Sequence, residues 1–167
     1  MVLNALDGAE RGAAIFPRTA CTGLHAESGY WQLECTPRDK PEQAFAIRAA
    51  VVVNAAGPWV QNILGRVPVA EENSRPLRLV KGSHIVVPKL YDGAHAFILQ
   101  NRDGRIVFVM PYERGRFTLV GTTEQDYQGD PGAAEISDSE TDYLLAVLRE
   151  HFSLPSDKAD IVWSFAG

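Results

Sequence analysis

The sequence predicts an α/β to α+β fold, with mixed β-sheet and a few helices in two structural units. First, the apolar run Ala49–Val53 has the β-branched density of a strand buried on both faces, and it leads into a glycine–proline corner. Second, several further apolar runs after residue 76 are separated by turn residues. Third, a capping-box pattern of Ser137 and Glu140, followed by an amphipathic pattern, predicts a helix near the C-terminus. No internal repeat accompanies these elements.

Composition excludes several classes of protein. The chain has 167 residues, 46% of them hydrophobic and 22% charged, which is typical of a folded domain or slightly more than one. A net charge of −5 argues against a nucleic-acid partner, since phosphate binding needs a basic face. No apolar run reaches the roughly 20 residues of a membrane-spanning helix, and the N-terminus does not resemble a signal peptide. These features favour the cytoplasmic side of a membrane.

Residues 1–66 form the first predicted unit. Glycine at position 12 is a plausible helix stop, and Glu27-Ser28-Gly29 is a turn between two apolar runs. The predicted elements are a helix over Val2–Arg11, a short strand over Ala14–Phe16, a hairpin of Ala20–Ala26 and Tyr30–Thr36, the strand that ends at Asn54, and a short helix over Trp59–Leu64 closed by Gly65.

Residues 67–167 form the second predicted unit, entered through the polar, proline-marked stretch 66–76. Asn101-Arg102-Asp103-Gly104 is a turn signal, and Pro155 bars continuation of the helix that begins after Ser137. The predicted strands are Leu77–Pro88, Ala96–Gln100, Ile106–Pro111, Phe117–Gly121 and Ile161–Phe165.

The corner Ala55-Ala56-Gly57-Pro58 follows the most apolar stretch of the chain. Ligands of open α/β sheets lie beyond the carboxyl ends of parallel strands, and glycine allows close approach to the backbone. The corner is therefore a candidate cofactor contact, with an ordinary strand-to-helix connection as the alternative.

The segment Lys81-Gly82-Ser83-His84 interrupts an apolar strand with polar and small residues. Lys81 and His84 would point to opposite faces of a regular strand, whereas a bulge at Gly82 could bring them together. Histidine can accept a proton from a substrate hydroxyl, which makes His84 a candidate general base. The alternative is a structural histidine beside a surface lysine.

Other polar groups give weaker signals. Thr122 and Thr123 after Gly121 can hydrogen-bond a polyol or stabilise a turn, and a basic cluster of Arg75, Arg78 and Lys81 suits an anionic substrate. Cys21 and Cys35 would lie almost opposite one another in the hairpin, as a disulfide or, as we favour, as reduced thiols. The three tryptophans favour packing over cofactor stacking. No spacing indicates a metal site.

Taken together, these residues resemble the middle of an FAD-dependent glycerol-3-phosphate dehydrogenase. The resemblance covers essentially the whole chain, and its most specific parts are the Lys-Gly-Ser-His strand and the Asn-Ala-Ala-Gly-Pro-Trp corner. The segments that carry it are Leu3–Asp7, Glu10–Ala13, Val53–Val60, Arg78–Pro88, Ile98–Gln100, Gly121–Thr123 and Ile161–Gly167.

The resemblance implies the fold of an amino-acid-oxidase-like FAD flavoprotein. Residues 1–66 would be part of the FAD-binding domain, and 67–167 part of the substrate-binding domain. Glycerol 3-phosphate would be oxidised to dihydroxyacetone phosphate, and electrons would pass through FAD to quinone, in an enzyme bound peripherally to the cytoplasmic side of the inner membrane by other parts. The implied FAD contacts are Thr19, Ala20 and the Ala55–Pro58 corner; the implied substrate contacts are Lys81, His84, Thr122 and Thr123, with Lys81 and His84 catalytic.

The sequence also departs from the pattern of this family. The acid after the double threonine is usually aspartate, whereas this chain has Glu124. The phosphate-binding Gly-x-Gly-x-x-Gly and the arginine expected after Gly167 are absent, so we expect the isolated chain to be inactive and free of FAD. Exposed apolar edges could pair with a second copy as a homodimer. The alternatives are a non-catalytic binding module and another oxidoreductase of this fold, such as an amine or amino-acid oxidase.

Overall fold

A computed structural model describes residues 2–65, 67, 77–153 and 157–167. The chain divides into two compact units, Met1–Pro76 and Leu77–Gly167. The predicted change of unit falls in the stretch 66–76, nearly all of which lies outside the described residues, as does Pro155.

In its described residues, the first unit is a three-stranded antiparallel sheet of order β1-β2-β3 with two short helices. Its predicted hairpin is confirmed, and Gly29 in the turn has φ +89°, which favours glycine. The elements are α1 (Val2–Glu10), β1 (Thr19–Glu27), β2 (Tyr30–Pro37), β3 (Phe45–Ala49) and α2 (Val60–Leu64), with a 3₁₀ turn at Gly57–Trp59 before α2.

Strand β3 ends at Ala49, five residues before the predicted end at Asn54. Strand β2 begins at Tyr30, and its Trp31 already pairs with Ala49, so only Tyr30 of β2 is left to face the residues beyond β3. Val51 and Val53 have no regular structure and are 74% and 82% exposed. The predicted strand buried on both faces at Ala49–Val53 is therefore wrong, as is the predicted strand at Ala14–Phe16, which has no regular structure either.

The hairpin places the two cysteines directly opposite one another. Cys21 pairs with Cys35 in the β1–β2 register, and both thiols are reduced. Burial raises the pKa of the Cys35 thiol, and the neighbouring Cys21 thiolate raises it further.

The second unit contains a five-stranded antiparallel sheet of order β10-β5-β8-β7-β6, with helix α3 on one face. Helix α3 begins after the predicted capping box of Ser137 and Glu140. The elements are β4 (Val80–Lys81), β5 (Ser83–Pro88), β6 (Phe97–Gln100), β7 (Ile106–Tyr112), β8 (Phe117–Gly121), β9 (Gln125–Asp126), α3 (Asp138–His151) and β10 (Trp163–Ala166), with β4 paired to β9 in a separate two-stranded sheet.

The two faces of the large sheet differ in character. The face toward α3 forms the core, in which Ile85, Val87, Val107, Val109 and Val120 pack with Leu144, Leu145 and Leu148. On the opposite face, one cross-strand row runs through Phe165, His84, Gly121, Phe108 and Ile98. Phe108 and Ile98 are 40% and 63% exposed. We call this the open face; it is apolar apart from His84 along this row.

Candidate functional site

The Lys81–His84 segment presents its side chains to opposite sides. Lys81 and Ser83 both reach the Glu140 carboxylate on α3, whereas His84 pairs across the open face with Phe165 and Gly121. This alternation is that of an ordinary strand. The bulge at Gly82 that could have brought Lys81 and His84 together is therefore not found, and the opposite-face alternative holds.

Glu140 is the centre of a buried hydrogen-bond network. Its Oε1 accepts hydrogen bonds from Ser83 Oγ at 2.8 Å and Thr123 Oγ1 at 2.7 Å. Its Oε2 accepts from Lys81 Nζ at 2.7 Å, and from Ser137 N and Oγ at 2.9 and 2.8 Å. Both carboxylate oxygens are thus used, and the residue is only 1% exposed.

The network keeps the Glu140 carboxylate charged. Burial alone would raise the pKa, but the hydrogen bonds from Lys81, Ser137 and Thr123 outweigh it and lower the pKa from 4.5 to about 2. Lys81 also donates to the carbonyl of Glu135 at 2.8 Å. Lys81, which is 8% exposed, is therefore committed to this network rather than to the open face.

His84 is half-buried between an aromatic ring and a backbone. Its imidazole stacks on Phe165, with ring centroids 4.8 Å apart and planes 7° from parallel. On the other side it lies against Gly121, where a Cβ would come within 2.9 Å of Nε2. The ring is therefore fixed in orientation by its two neighbours.

The surroundings favour a neutral His84. Burial lowers its pKa from 6.5, because the charged imidazolium loses hydration. Nδ1 is buried and has no hydrogen-bond partner among the described residues. Nε2 is thus the ring nitrogen left for a ligand at the open face, and a neutral imidazole there can accept a proton.

Thr122 and Thr123, both predicted to bind substrate, have different surroundings. Thr123 is 1% exposed; its hydroxyl donates to Glu140 and accepts from Ser83 N at 2.9 Å, so it cannot contact a substrate. Thr122 is only partly buried and donates to the carbonyl of Thr123. Glu124 is exposed. The prediction stays in place for Thr122, while burial contradicts it for Thr123.

Gly82 is required by close packing within the chain, rather than by the bulge that the sequence suggested. A Cβ at this position would overlap the Thr122 side chain, so the neighbour is a part of this chain and not a ligand. Gly82 also exchanges two backbone hydrogen bonds with Gly167.

The predicted basic cluster does not form from its described members. Arg78 is paired with Asp126, and Lys81 with Glu140, so neither presents an uncompensated positive charge. Arg75 lies outside the described residues. No set of three or more potential metal-binding side chains occurs in the described part of the chain, and none of its helices has the length and apolar character needed to cross a bilayer.

In the first unit, Asn54 shapes the Ala55–Pro58 corner. Its Nδ2 donates to the carbonyl of Val60 at 3.0 Å, and its Oδ1 accepts from Ala56 N at 3.3 Å. Gly57 has φ +55°, which explains the glycine, and no atom lies within 4 Å of a Cβ built there. The corner thus presents backbone and two alanine methyl groups to open space, which fits close contact with a flat cofactor such as FAD.

Thr19 and Ala20 lie at the start of β1, an edge strand. Alternate backbone groups of an edge strand point away from its neighbour and are available to a ligand. Both positions therefore fit the predicted contacts with the adenine of FAD.

Three important residues were missed from the sequence. The sequence indicates Glu140 only as part of a capping box, Phe165 only as a strand residue, and Asn54 only as part of a motif. The buried serine and threonine at positions 83 and 123 are a signal for a polar partner, because buried hydroxyls need one. The partner's identity depends on residues far apart in sequence.

Comparisons with known proteins agree with this picture. The model of a family described as FAD dependent oxidoreductase matches residues 1–167. A glycerol-3-phosphate dehydrogenase of Pseudomonas aeruginosa is 47% identical over all 167 residues, and a D-erythritol 1-phosphate dehydrogenase of Brucella abortus is 40% identical over the same span. The chain covers 32% and 33% of these relatives, so it spans about a third of their length.

A solved structure supports the same fold. The glycerol-3-phosphate dehydrogenase of Bacillus halodurans, complexed with FAD, superposes with a TM-score of 0.83 at 28% identity, covering 96% of this chain and 32% of that one.

Proposed function

The chain belongs to the FAD-dependent oxidoreductase family, and we propose that it is the central part of an enzyme that oxidises sn-glycerol 3-phosphate to dihydroxyacetone phosphate. Relatives named as glycerol-3-phosphate dehydrogenases match it along its whole length. Within that enzyme, residues 1–66 contribute to the FAD-binding domain and 67–167 to the substrate-binding domain.

The observation that carries this proposal is the environment of His84. A neutral, orientation-fixed imidazole on the apolar open face can accept the proton of a substrate hydroxyl at Nε2. FAD, when bound, supplies the acceptor for the hydride that leaves C2 of the substrate. The Ala55–Pro58 corner and the start of β1 would hold it.

Lys81 and Thr123 serve this site indirectly. Their burial against Glu140 removes them from contact with substrate, so they support the strand and loop that carry His84 and Gly121. Thr122, which is only partly buried, remains the proposed hydroxyl contact for the substrate.

A second substrate is favoured by one relative. The D-erythritol 1-phosphate dehydrogenase is 40% identical over the whole chain. Both compounds are polyol phosphates with a secondary alcohol, so the chemistry proposed for His84 serves either one. We favour glycerol 3-phosphate because a relative of higher identity, 47%, is named as a glycerol-3-phosphate dehydrogenase.

The test is anaerobic reduction of bound flavin in the longer protein that contains this chain. Addition of sn-glycerol 3-phosphate should bleach the flavin absorbance, whereas glycerol should not. Faster bleaching by D-erythritol 1-phosphate would establish the second substrate. A flavin-loaded protein reduced by neither compound would overturn the proposal in favour of another oxidoreductase or a non-catalytic module.

We propose further that the longer protein passes electrons to a quinone and attaches peripherally to the cytoplasmic face of the inner membrane. The resemblance to the quinone-linked enzymes supports this. Because a net charge of −5 makes this chain a poor membrane anchor, we assign the attachment to other parts of the longer protein. A homodimer formed through exposed apolar edges stays a prediction.

A further inference from the structure

Glu140 connects four separate segments of the second unit. Its carboxylate contacts Lys81 of β4, Ser83 of β5, Thr123 in the loop after β8, and Ser137 before α3. A capping box explains only the contacts with Ser137. The contacts with the other three residues need a separate explanation.

Stability alone explains these contacts poorly. Burying an ion pair costs desolvation energy that its attraction only partly repays, and apolar replacements are often equally stable. Lys81 and Glu140 are 9% and 1% exposed in their side chains, so both lose most of their hydration. The pair is better explained by the positions in which its hydrogen bonds hold the neighbouring segments.

The geometry that Glu140 fixes is that of His84. Ser83, whose hydroxyl donates to Glu140, immediately precedes His84. Thr123 donates to the same oxygen and exchanges two further hydrogen bonds with the Ser83 backbone. Thr123 lies two residues after Gly121, against which the imidazole ring rests. The segment that carries the His84 ring and the segment against which the ring rests are therefore both held by hydrogen bonds to the Glu140 carboxylate.

We propose that Glu140, together with its partner Lys81, is a positioning residue that sets the orientation of His84 for proton transfer. This inference rests on the proposed function. Glu140 is not itself the base, since its oxygens are occupied by five hydrogen bonds and face α3 rather than the open face. Its effect on the reaction passes through Ser83 and Thr123.

The test compares Glu140→Gln with Glu135→Gln in the flavin-loaded longer protein. The Glu135 side chain is exposed, and its contact with Lys81 is through the backbone carbonyl, which the substitution keeps. Because small displacements of reacting groups can cost up to about 10²-fold in rate, we expect E140Q to lower kcat by at least about tenfold with KM within about threefold. E135Q should match the wild type.

Two more variants test whether a folding defect, rather than a displaced His84, explains a low kcat. Lys81→Met combined with Glu140→Gln removes both charges, so no ammonium is left buried without a carboxylate. Leu148→Ala destabilises the core without touching the network. We expect the double variant to fold and to keep the low kcat, and L148A to keep the wild-type kcat at temperatures where it is folded.

A second readout separates this inference from the proposed function. In the 167-residue chain, ¹⁵N and ¹³C spectra of the His84 ring report its surroundings whether or not the longer protein is active. E140Q and the double variant should shift the His84 resonances and its titration midpoint, whereas E135Q should not. Wild-type kcat and unchanged His84 spectra in a folded double variant would overturn the proposal; failure of the wild type to oxidise polyol phosphates would overturn only the proposed function.

Discussion

Gly121 lies directly opposite His84 in the antiparallel pair β5–β8, and the imidazole ring occupies the space where a Cβ of residue 121 would be. The glycine is therefore required by the histidine across the strand pair.

We expect Gly121→Ala to destabilise the chain by about 1–3 kcal/mol, the usual cost of overpacking a tight site. Gly65→Ala is the matched control, since its nearest contact would be an ordinary 3.5 Å from the carbonyl of Gln61. Urea unfolding of both variants measures the difference. Equal stability of the two would mean that the imidazole moves away at little cost.

Phe165 should set the pKa of His84. Removal of the stacked ring in Phe165→Ala exposes the imidazole, so the pKa should rise toward 6.5. Phe108→Ala is the control, because Phe108 is similarly exposed and lies in the same cross-strand row, two strands from His84. NMR titration of the His84 ring gives both values. A midpoint unchanged by F165A would show that other groups desolvate the histidine.

His84→Ala in the longer protein should lower turnover by roughly 10²–10⁴, the range for loss of a general base. The FAD content should stay unchanged, because His84 has no proposed part in cofactor binding. His25→Ala, at an exposed histidine of the first unit, provides the control. Stopped-flow flavin reduction is the measurement, and a turnover near wild type in H84A would exclude the assignment.

The elements that the sequence predicted well are those with local signals. The β1–β2 hairpin follows from its Ser28-Gly29 turn, and helix α3 from the Ser137–Glu140 capping box. Both depend on residues a few positions apart. The end of β3 was missed because it depends on where β2 begins, and composition alone cannot reveal the length of a partner strand.

The candidate site was predicted in part for the same reason. His84 stands out as a polar residue in an apolar strand, and its environment on the open face fits the predicted role. The partner of Lys81 could not be deduced, because Glu140 lies 59 residues away in sequence. Periodicity gave the correct opposite faces, whereas the bulge at Gly82 was an extra assumption that the Thr122 contact makes unnecessary.

Acid should destabilise the chain through Glu140. Its pKa is lowered to about 2 in the folded chain, so its contribution to stability is present above the ordinary value of 4.5 and is lost as pH falls toward 2. The urea midpoint should therefore fall across this interval. In the double variant Lys81→Met with Glu140→Gln the fall should be shallower, and an identical pH profile would contradict the low pKa.

The final prediction concerns FAD and the chain by itself. FAD binding in this fold depends strongly on a glycine loop and a helix N-terminus that hold the pyrophosphate, and the 167 residues contain no Gly-x-Gly-x-x-Gly. The contacts that remain are the Ala55–Pro58 corner and the start of β1, both without a charged side chain. Charge-assisted hydrogen bonds contribute about 1.5–3 kcal/mol each, so the loss of several removes decades of affinity.

We therefore expect the purified chain to be colourless and to bind FAD more weakly than micromolar. An absorbance scan in the flavin band, followed by titration with FAD, measures both properties. Substitution of Gly57 by Val offers an internal check, since its side chain would enter the open space above the corner and is strained at φ +55°; both effects should abolish any weak binding that remains. A stoichiometrically yellow protein, or a dissociation constant in the micromolar range or tighter, would show that the principal cofactor contacts lie elsewhere in the chain than the corner and the β1 edge.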